Sequence, residues 1–157
     1  MEGMMLRKIG SVVADDANGR YALSIDAEYR EAMLGLEGFS RIHAVWWAHG
    51  LGSEKDRATL SCELPYAPGT RAGVFACRSP ARPNPIAISC VGVLGVDRAS
   101  GEILLDWIDA VDGTPLLDVK PYIAACDRAR EYREAAWLAG WPVWIEEAAA
   151  FFGAAEE

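Results

Sequence analysis

The chain has 157 residues, a formal net charge of −8 and 52% apolar residues. With a mean hydropathy near zero, it reads as one soluble, globular unit long enough for a real core. That balance excludes a protein that coats nucleic acid through bulk positive charge, although a local contact stays open because affinity follows the local patch.

No apolar run reaches membrane-span length. Met1–Lys8 has no signal-peptide architecture, so a cytoplasmic protein without a membrane partner is expected. Cys62, Cys77, Cys90 and Cys126 form no CxxC pair and are expected to be reduced. His43 and His49 are the only histidines, too few ligands of familiar spacing, and no metal is expected.

In chain order, Leu6–Ala14 reads as a strand, Asp15–Gly19 as a turn around Asn-Gly, and Tyr21–Ile25 as the returning strand of a hairpin. Asp26 reads as the N-cap of a helix running to Leu36, with Tyr29, Met33 and Leu36 at helical spacing and Gly35 and Gly38 ending it. Phe39–His49 (FSRIHAVWWAH) is aromatic and β-branched, which predicts a strand buried on both faces. Trp46 and Trp47 then point to opposite sides and fill core. Gly50–Asp56 reads as a loop and Arg57–Leu64 as another strand.

Gly73–Ser89 (GVFACRSPARPNPIAIS) is the most informative stretch. Val74 and Phe75 begin it as a strand. Pro80, Pro83 and Pro85 then fix three φ angles in a rigid loop, and the chain returns to a strand at Ile86. Such a loop loses little entropy when a ligand binds. It carries Arg78, Arg82, Ser79 and Asn84, and no acidic residue lies between Leu64 and Val96. In an acidic chain that is an island of positive potential. The plainer reading is a stiffened surface turn with solubilising arginines.

Ile86–Val96 reads as a long strand with bends or bulges at Gly92 and Gly95. Arg98–Gly101 is a hairpin turn, and Glu102–Ile108 the returning strand. Asp109–Tyr122 (DAVDGTPLLDVKPY) holds a turn at Asp112–Pro115, and crowds Asp109, Asp112, Asp118 and Lys120 beside Leu116, Leu117 and Val119. It is either that turn alone or polar groups converging on a pocket. Cys126–Trp137 and the segment after Pro142 read as helices, the second with Trp144, Ala148, Phe151 and Phe152 on one stripe. Trp137, Trp141 and Trp144 are expected to pack this tail onto the barrel or a second subunit. Strand follows strand with short turns, which predicts a mainly β protein. Its antiparallel barrel is closed or nearly closed, with one short helix in the N-terminal third and two C-terminal helices. The expected division is a barrel domain over 1–125 and a helical tail over 126–157.

GVFACRSPARPNPIAIS, DAVDGTPLLDVKPY and FSRIHAVWWAH together resemble three signature segments of the TrmO/TsaA-like family, across about half of the chain. The resemblance implies an S-adenosylmethionine-dependent methyltransferase on a β-barrel, a homodimer with the cofactor near the subunit interface. The implied substrate is tRNA, methylated on N6 of threonylcarbamoyladenosine beside the anticodon. It implies cofactor contacts at His49 and Gly50, at Arg78, at Asn84, Pro85 and Ile86, and at Asp109, Asp112, Gly113 and Thr114. Phosphate contacts are expected from Arg41, Arg71, Arg82 and Lys120. Asp118, or else His49, is the expected proton acceptor. The chain departs from the family pattern at Arg41, at Cys77 and in a short Ala14–Arg20 connection, and lacks the C-terminal extension of longer members. The alternatives are a small-molecule methyl acceptor, or a cofactor-binding module without catalysis.

Overall fold

The structure, a computed structural model, describes residues 5–153; Met1–Met4 and the last four residues of the expected tail lie outside it. The strands are β1 (Gly10–Asp15), β2 (Arg20–Ile25), β3 (Arg41–Trp47), β4 (Ser61–Glu63), β5 (Arg71–Gly73), β6 (Ile86–Asp97), β7 (Glu102–Leu105) and β8 (Pro115–Pro121). Six of them close into an antiparallel barrel in the order β1-β2-β7-β6-β3-β8, and β4 and β5 form a separate two-stranded sheet. Alternation builds the core. Val12, Leu23, Ile42, Ile103, Leu105 and Leu116 all point inward and are fully buried. Each such side chain contributes about 1.5–3 kcal/mol through the water it sheds.

The first strand begins later than expected, at Gly10, because Gly10 and Ser11 are where pairing with β8 starts. The Asn-Gly turn forms as read, with Gly19 at φ +62°. The expected helix from Asp26 to Leu36 is instead two 3-10 turns, Ala27–Met33 and Leu36–Gly38. Asp26 makes no side-chain cap, and its carbonyl accepts from Tyr29 three residues on. Gly35, at φ +85°, separates the two turns. Only Met33 of these turns is buried, so little packing favours a longer helix.

β3 is buried on one face, not two. Ile42, Ala44 and Trp46 enter the core, while Arg41, His43, Val45 and Trp47 stay half-exposed on the outer wall. A barrel has one inside, so a strand in its wall alternates. Arg57 belongs to a short helix, α1 (Glu54–Arg57), capped by Ser53; only Ser61–Glu63 of the expected fourth strand pairs. The strand before the proline loop ends at Gly73. Val74–Ala76 is a 3-10 turn that leaves Phe75 86% exposed.

β6 spans Ile86–Asp97, and its register against β7 shifts between Val93 and Gly95, a bulge at the expected glycine. β7 stops at Leu105 because the Asp106 carboxylate takes over, accepting from the amides of Gly92 (2.9 Å) and Trp107 (2.7 Å). Gly101 closes the β6–β7 turn at φ +82°, and a Cβ there would lie 2.6 Å from the Ile25 carbonyl oxygen. Gly101→Ala is therefore expected to cost about 1–3 kcal/mol, measured as a lower midpoint in urea unfolding.

The tail departs most from expectation. Its first helix, α2 (Ala124–Asp127), is a single turn, and the pairs Arg128–Tyr132 and Arg130–Glu134 never come onto one helical face. Arg128 lies over the Trp144 ring at 4.9 Å instead. The last helix, α3 (Ile145–Gly153), starts three residues after Pro142. Its Phe151 and Phe152 meet Trp141, which also packs edge-on against Tyr66 at 5.1 Å. The stripe thus covers Trp141 rather than the barrel wall, and Phe151, Phe152 and Trp144 keep over 40% exposure. Arg41 ties α3 to β3 through Glu146 at 3.0 Å.

Candidate functional site

Antiparallel closure places the ends of β1, β3 and β7 and the starts of β2, β6 and β8 at one end of the barrel. His49 and Gly50 follow β3, Arg78–Ile86 lead into β6, and Asp109–Thr114 connect β7 to β8. Topology therefore gathers every expected cofactor residue at the same rim. A cleft of about 650 Å³ opens there and runs down the outer wall of β3, β6 and β8. Of the expected cofactor residues, Arg78, Ile86 and Asp109 line it; of the expected phosphate contacts, Arg82 and Lys120 do.

The loop over the cleft is held by arginines. Arg82 donates to the carbonyls of Ser79 (2.8 Å), Cys77 (2.7 Å) and Val74. Arg57 donates to the Pro83 carbonyl from outside, at 3.2 Å. The Pro85 carbonyl accepts from Ala48 at 2.8 Å, which joins the loop to the end of β3. Three prolines limit the alternatives and these bonds select one shape. Arg78, on the same loop, is exposed and makes no hydrogen bond or ion pair among the described residues. It is the cation the loop leaves free.

Across the cleft, Asp109 is set by a buried relay. The Trp46 indole donates to Ser89 Oγ at 2.8 Å, and the Ser89 hydroxyl donates to Asp109 Oδ1. One carboxylate oxygen is thus fixed from below. The apolar part of the lining is Val45, Ile86, Ala87 and Ile88.

The outer face of β3 contributes His43, which the sequence reading passed over. Its Nε2 is shut from solvent and lies 3.3 Å from Asp127 Oδ1, in ion-pair range but outside hydrogen-bond geometry. The other Asp127 oxygen accepts from the Ile123 amide at 2.7 Å, so α2 holds the carboxylate in place. Cys90 and Lys120 line the same stretch, and the Tyr122 ring lies 5.9 Å from the imidazole. Burial pushes the Cys90 thiol up, which keeps it protonated. The signal that could have found His43 was the alternation in Ile42-His43-Ala44: one face apolar, the other not.

The remaining expected residues are outside the cleft lining, apart from Lys120. His49 and Gly50 form an exposed 3-10 turn beside the rim, and Asn84 is exposed while Pro85 is buried. Asp112 accepts from the Ala14 amide at 3.0 Å, and Gly113, at φ +75°, donates to the Val12 carbonyl. Both build the turn that docks on β1. Thr114 is fully buried, its Oγ1 without a partner. Asp118 pairs with Lys120 at 2.7 Å and accepts from Val119, and it lines a separate pocket with Tyr29, Met33 and Phe39. That hydrogen bond raises the Lys120 ammonium above its usual range, so it stays charged. Arg71 donates to Ser61 Oγ at 3.0 Å, away from the cleft. All four cations expected to meet phosphate thus have partners within the chain.

The family model of the tRNA-methyltransferase O N-terminal domain matches residues 10–128. The chain belongs to the TrmO family. The match takes in the whole barrel and ends one residue past Asp127. Among TrmO-like relatives, a probable S-adenosyl-L-methionine-binding protein of Halobacterium salinarum is 39% identical over 64% of this chain and 76% of its own. The human tRNA (adenine(37)-N6)-methyltransferase is 37% identical over 66% of this chain but only 22% of its own length. The crystal structure of TrmO from Pseudomonas aeruginosa superposes with a TM-score of 0.63 at 26% identity, over 85% of this chain and 62% of that one. No helix among the described residues is long and apolar enough to cross a membrane.

Proposed function

We propose that this protein is an S-adenosylmethionine-dependent methyltransferase acting on N6 of an adenine in tRNA, specifically threonylcarbamoyladenosine beside the anticodon. The observation that carries the reading is one cleft of about 650 Å³ lined both by an arginine unpaired among the described residues and by an oriented carboxylate. In this reading Arg78 would meet the cofactor's carboxylate, Asp109 would accept from its ribose diol, and Val45, Ile86 and Ile88 would cover its adenine. When bound, the cofactor supplies a methyl group already activated on a sulfonium. The protein's share is alignment, a dry pocket and a place for one proton.

That proton comes from the acceptor nitrogen, which is conjugated to a carbonyl and a weak nucleophile. His43 replaces Asp118 and His49 as the acceptor in this reading. It lines the cleft, whereas Asp118 is committed to Lys120 and His49 lies outside the cleft lining. A slight turn of the ring completes the Asp127 bond at Nε2 and leaves Nδ1 to take the proton. A homodimer belongs to this reading, because the cleft wall exposes Ile88 at 51% and the turn before the loop exposes Phe75. Light scattering at the monomer mass would overturn the dimer.

The testing experiment is transfer of labelled methyl from S-adenosylmethionine to tRNA from cells lacking the modification, with the modified nucleoside identified by mass spectrometry. Label in N6-methylated threonylcarbamoyladenosine is the expected result. A second reading, a small-molecule acceptor, is favoured by the four-residue β1–β2 connection, Asp16–Gly19, which builds no wall beside the rim. Label entering a metabolite fraction and not tRNA decides for it. Tight cofactor binding with no transfer to either leaves a binding module.

A further inference from the structure

We propose that Cys62 and Cys77 are an oxidative modification site, forming a reversible disulfide that ties β4 to the start of the arginine-bearing loop. The sequence spacing hides this pair, which is not a CxxC and sits in separate elements. The fold places the two sulfurs 3.7 Å apart, both partly buried. Cys62 is the middle residue of β4, opposite Ala72. Cys77 ends the 3-10 turn Val74–Ala76 in extended geometry, and Arg82 holds its carbonyl. The backbone is therefore fixed on both sides, so closing the gap to the bonded distance of about 2.05 Å falls to side-chain rotation.

The oxidant is a peroxide. The Cys77 thiolate attacks the O–O bond of hydrogen peroxide, forming an S–O bond and releasing hydroxide, which takes up the thiol proton as water. The Cys62 sulfur then displaces the oxygen from Cys77, forming the S–S bond. The departing hydroxide takes the Cys62 proton as a second water. Two thiols lose two electrons and one peroxide gains them. Burial pushes the Cys62 thiol up, which disfavours it as the first thiolate to attack the peroxide. Burial and then the two thiols raise the Tyr66 phenol, which packs edge-on against Trp141 of the tail. Cys77 directly precedes Arg78, so the crosslink immobilises the backbone of the free cation. The proposal holds whether or not the protein transfers methyl groups.

The test is treatment of the whole protein with hydrogen peroxide, alkylation of remaining thiols, and tryptic mapping without reduction. Peptides 58–71 and 72–78 are expected as one crosslinked species, free thiols falling from four to two, with dithiothreitol reversing both changes. Cys62→Ser and Cys77→Ser should each abolish the species, and the Cys90→Ser/Cys126→Ser double variant should keep it. Native trypsin cleavage after Arg78 should slow by about threefold or more on oxidation in the wild type and the double variant, and in neither Cys62→Ser nor Cys77→Ser. Recovery of both peptides as alkylated thiols while Cys126 oxidises overturns the proposal, as do disulfides found only between molecules. If one serine variant fails to fold, the double variant and the wild-type map still decide.

Discussion

Replacing His43 with glutamine is expected to slow methyl transfer by on the order of 100-fold or more, while S-adenosylmethionine affinity stays within about threefold. Glutamine keeps the size and polarity of the side chain but cannot take a proton. Calorimetry reports the binding and labelled-methyl turnover reports the rate. Their separation is what marks a proton acceptor rather than a structural residue. The groups facing His43 are Asp127 from α2, Lys120 and Tyr122 from β8 and its end, and Cys90 from β6. Asp127→Asn should lower the rate less than His43→Gln, because it weakens the hold on the ring and leaves the acceptor in place. Equal loss of binding and turnover in His43→Gln would move His43 from chemistry to cofactor contact.

How much of this was legible beforehand differs by residue. The barrel was readable because turn signals at Asn18-Gly19 and Ser100-Gly101 and alternation in between are local properties. Topology then did the rest for the rim: an antiparallel closure cannot put Arg78 and Asp109 at opposite ends. The extent and type of the helices were less legible, for the converse reason. The apolar spacing of Tyr29, Met33 and Leu36 is met by 3-10 turns, and the Cys126–Trp137 segment has no apolar face to bury along a helix. At the site, residue type pointed to the loop but not to the division of labour within it. Arg78 and Arg82 are indistinguishable as letters. Only the Val74, Cys77 and Ser79 carbonyls, brought under one guanidinium, separate the staple from the free cation. His43 and Asp127 are 84 residues apart in sequence and meet only because α2 folds back across β3.

That division of labour makes the second large effect a contrast between two arginines on one loop. Arg78→Ala removes a charged donor that touches nothing else among the described residues, so the fold should be unmoved, with thermal stability within about 1 °C of wild type. Cofactor affinity should fall by about 1.5–3 kcal/mol, roughly 10–150-fold, the worth of hydrogen bonds to a charged partner. Arg82→Ala should do the reverse in order of cause. It leaves three carbonyls without their shared donor, and the loop should loosen at a cost of about 1.5–3 kcal/mol. For a chain of this length that lowers the melting temperature by about 3–10 °C. Affinity should drop as a consequence, because a mobile loop must be ordered again on binding. Lysine should restore neither position fully, but for different reasons. At Arg78 it keeps the charge and loses the bidentate fork, so it recovers part of the affinity. At Arg82 a single ammonium cannot span the three carbonyls, so it recovers little stability. Unfolding curves alongside calorimetry on the four variants read both axes. If Arg82→Ala proved as stable as wild type and lost only RNA affinity, its guanidinium would have to leave those carbonyls for a phosphate, and the stapled loop would not be the resting shape.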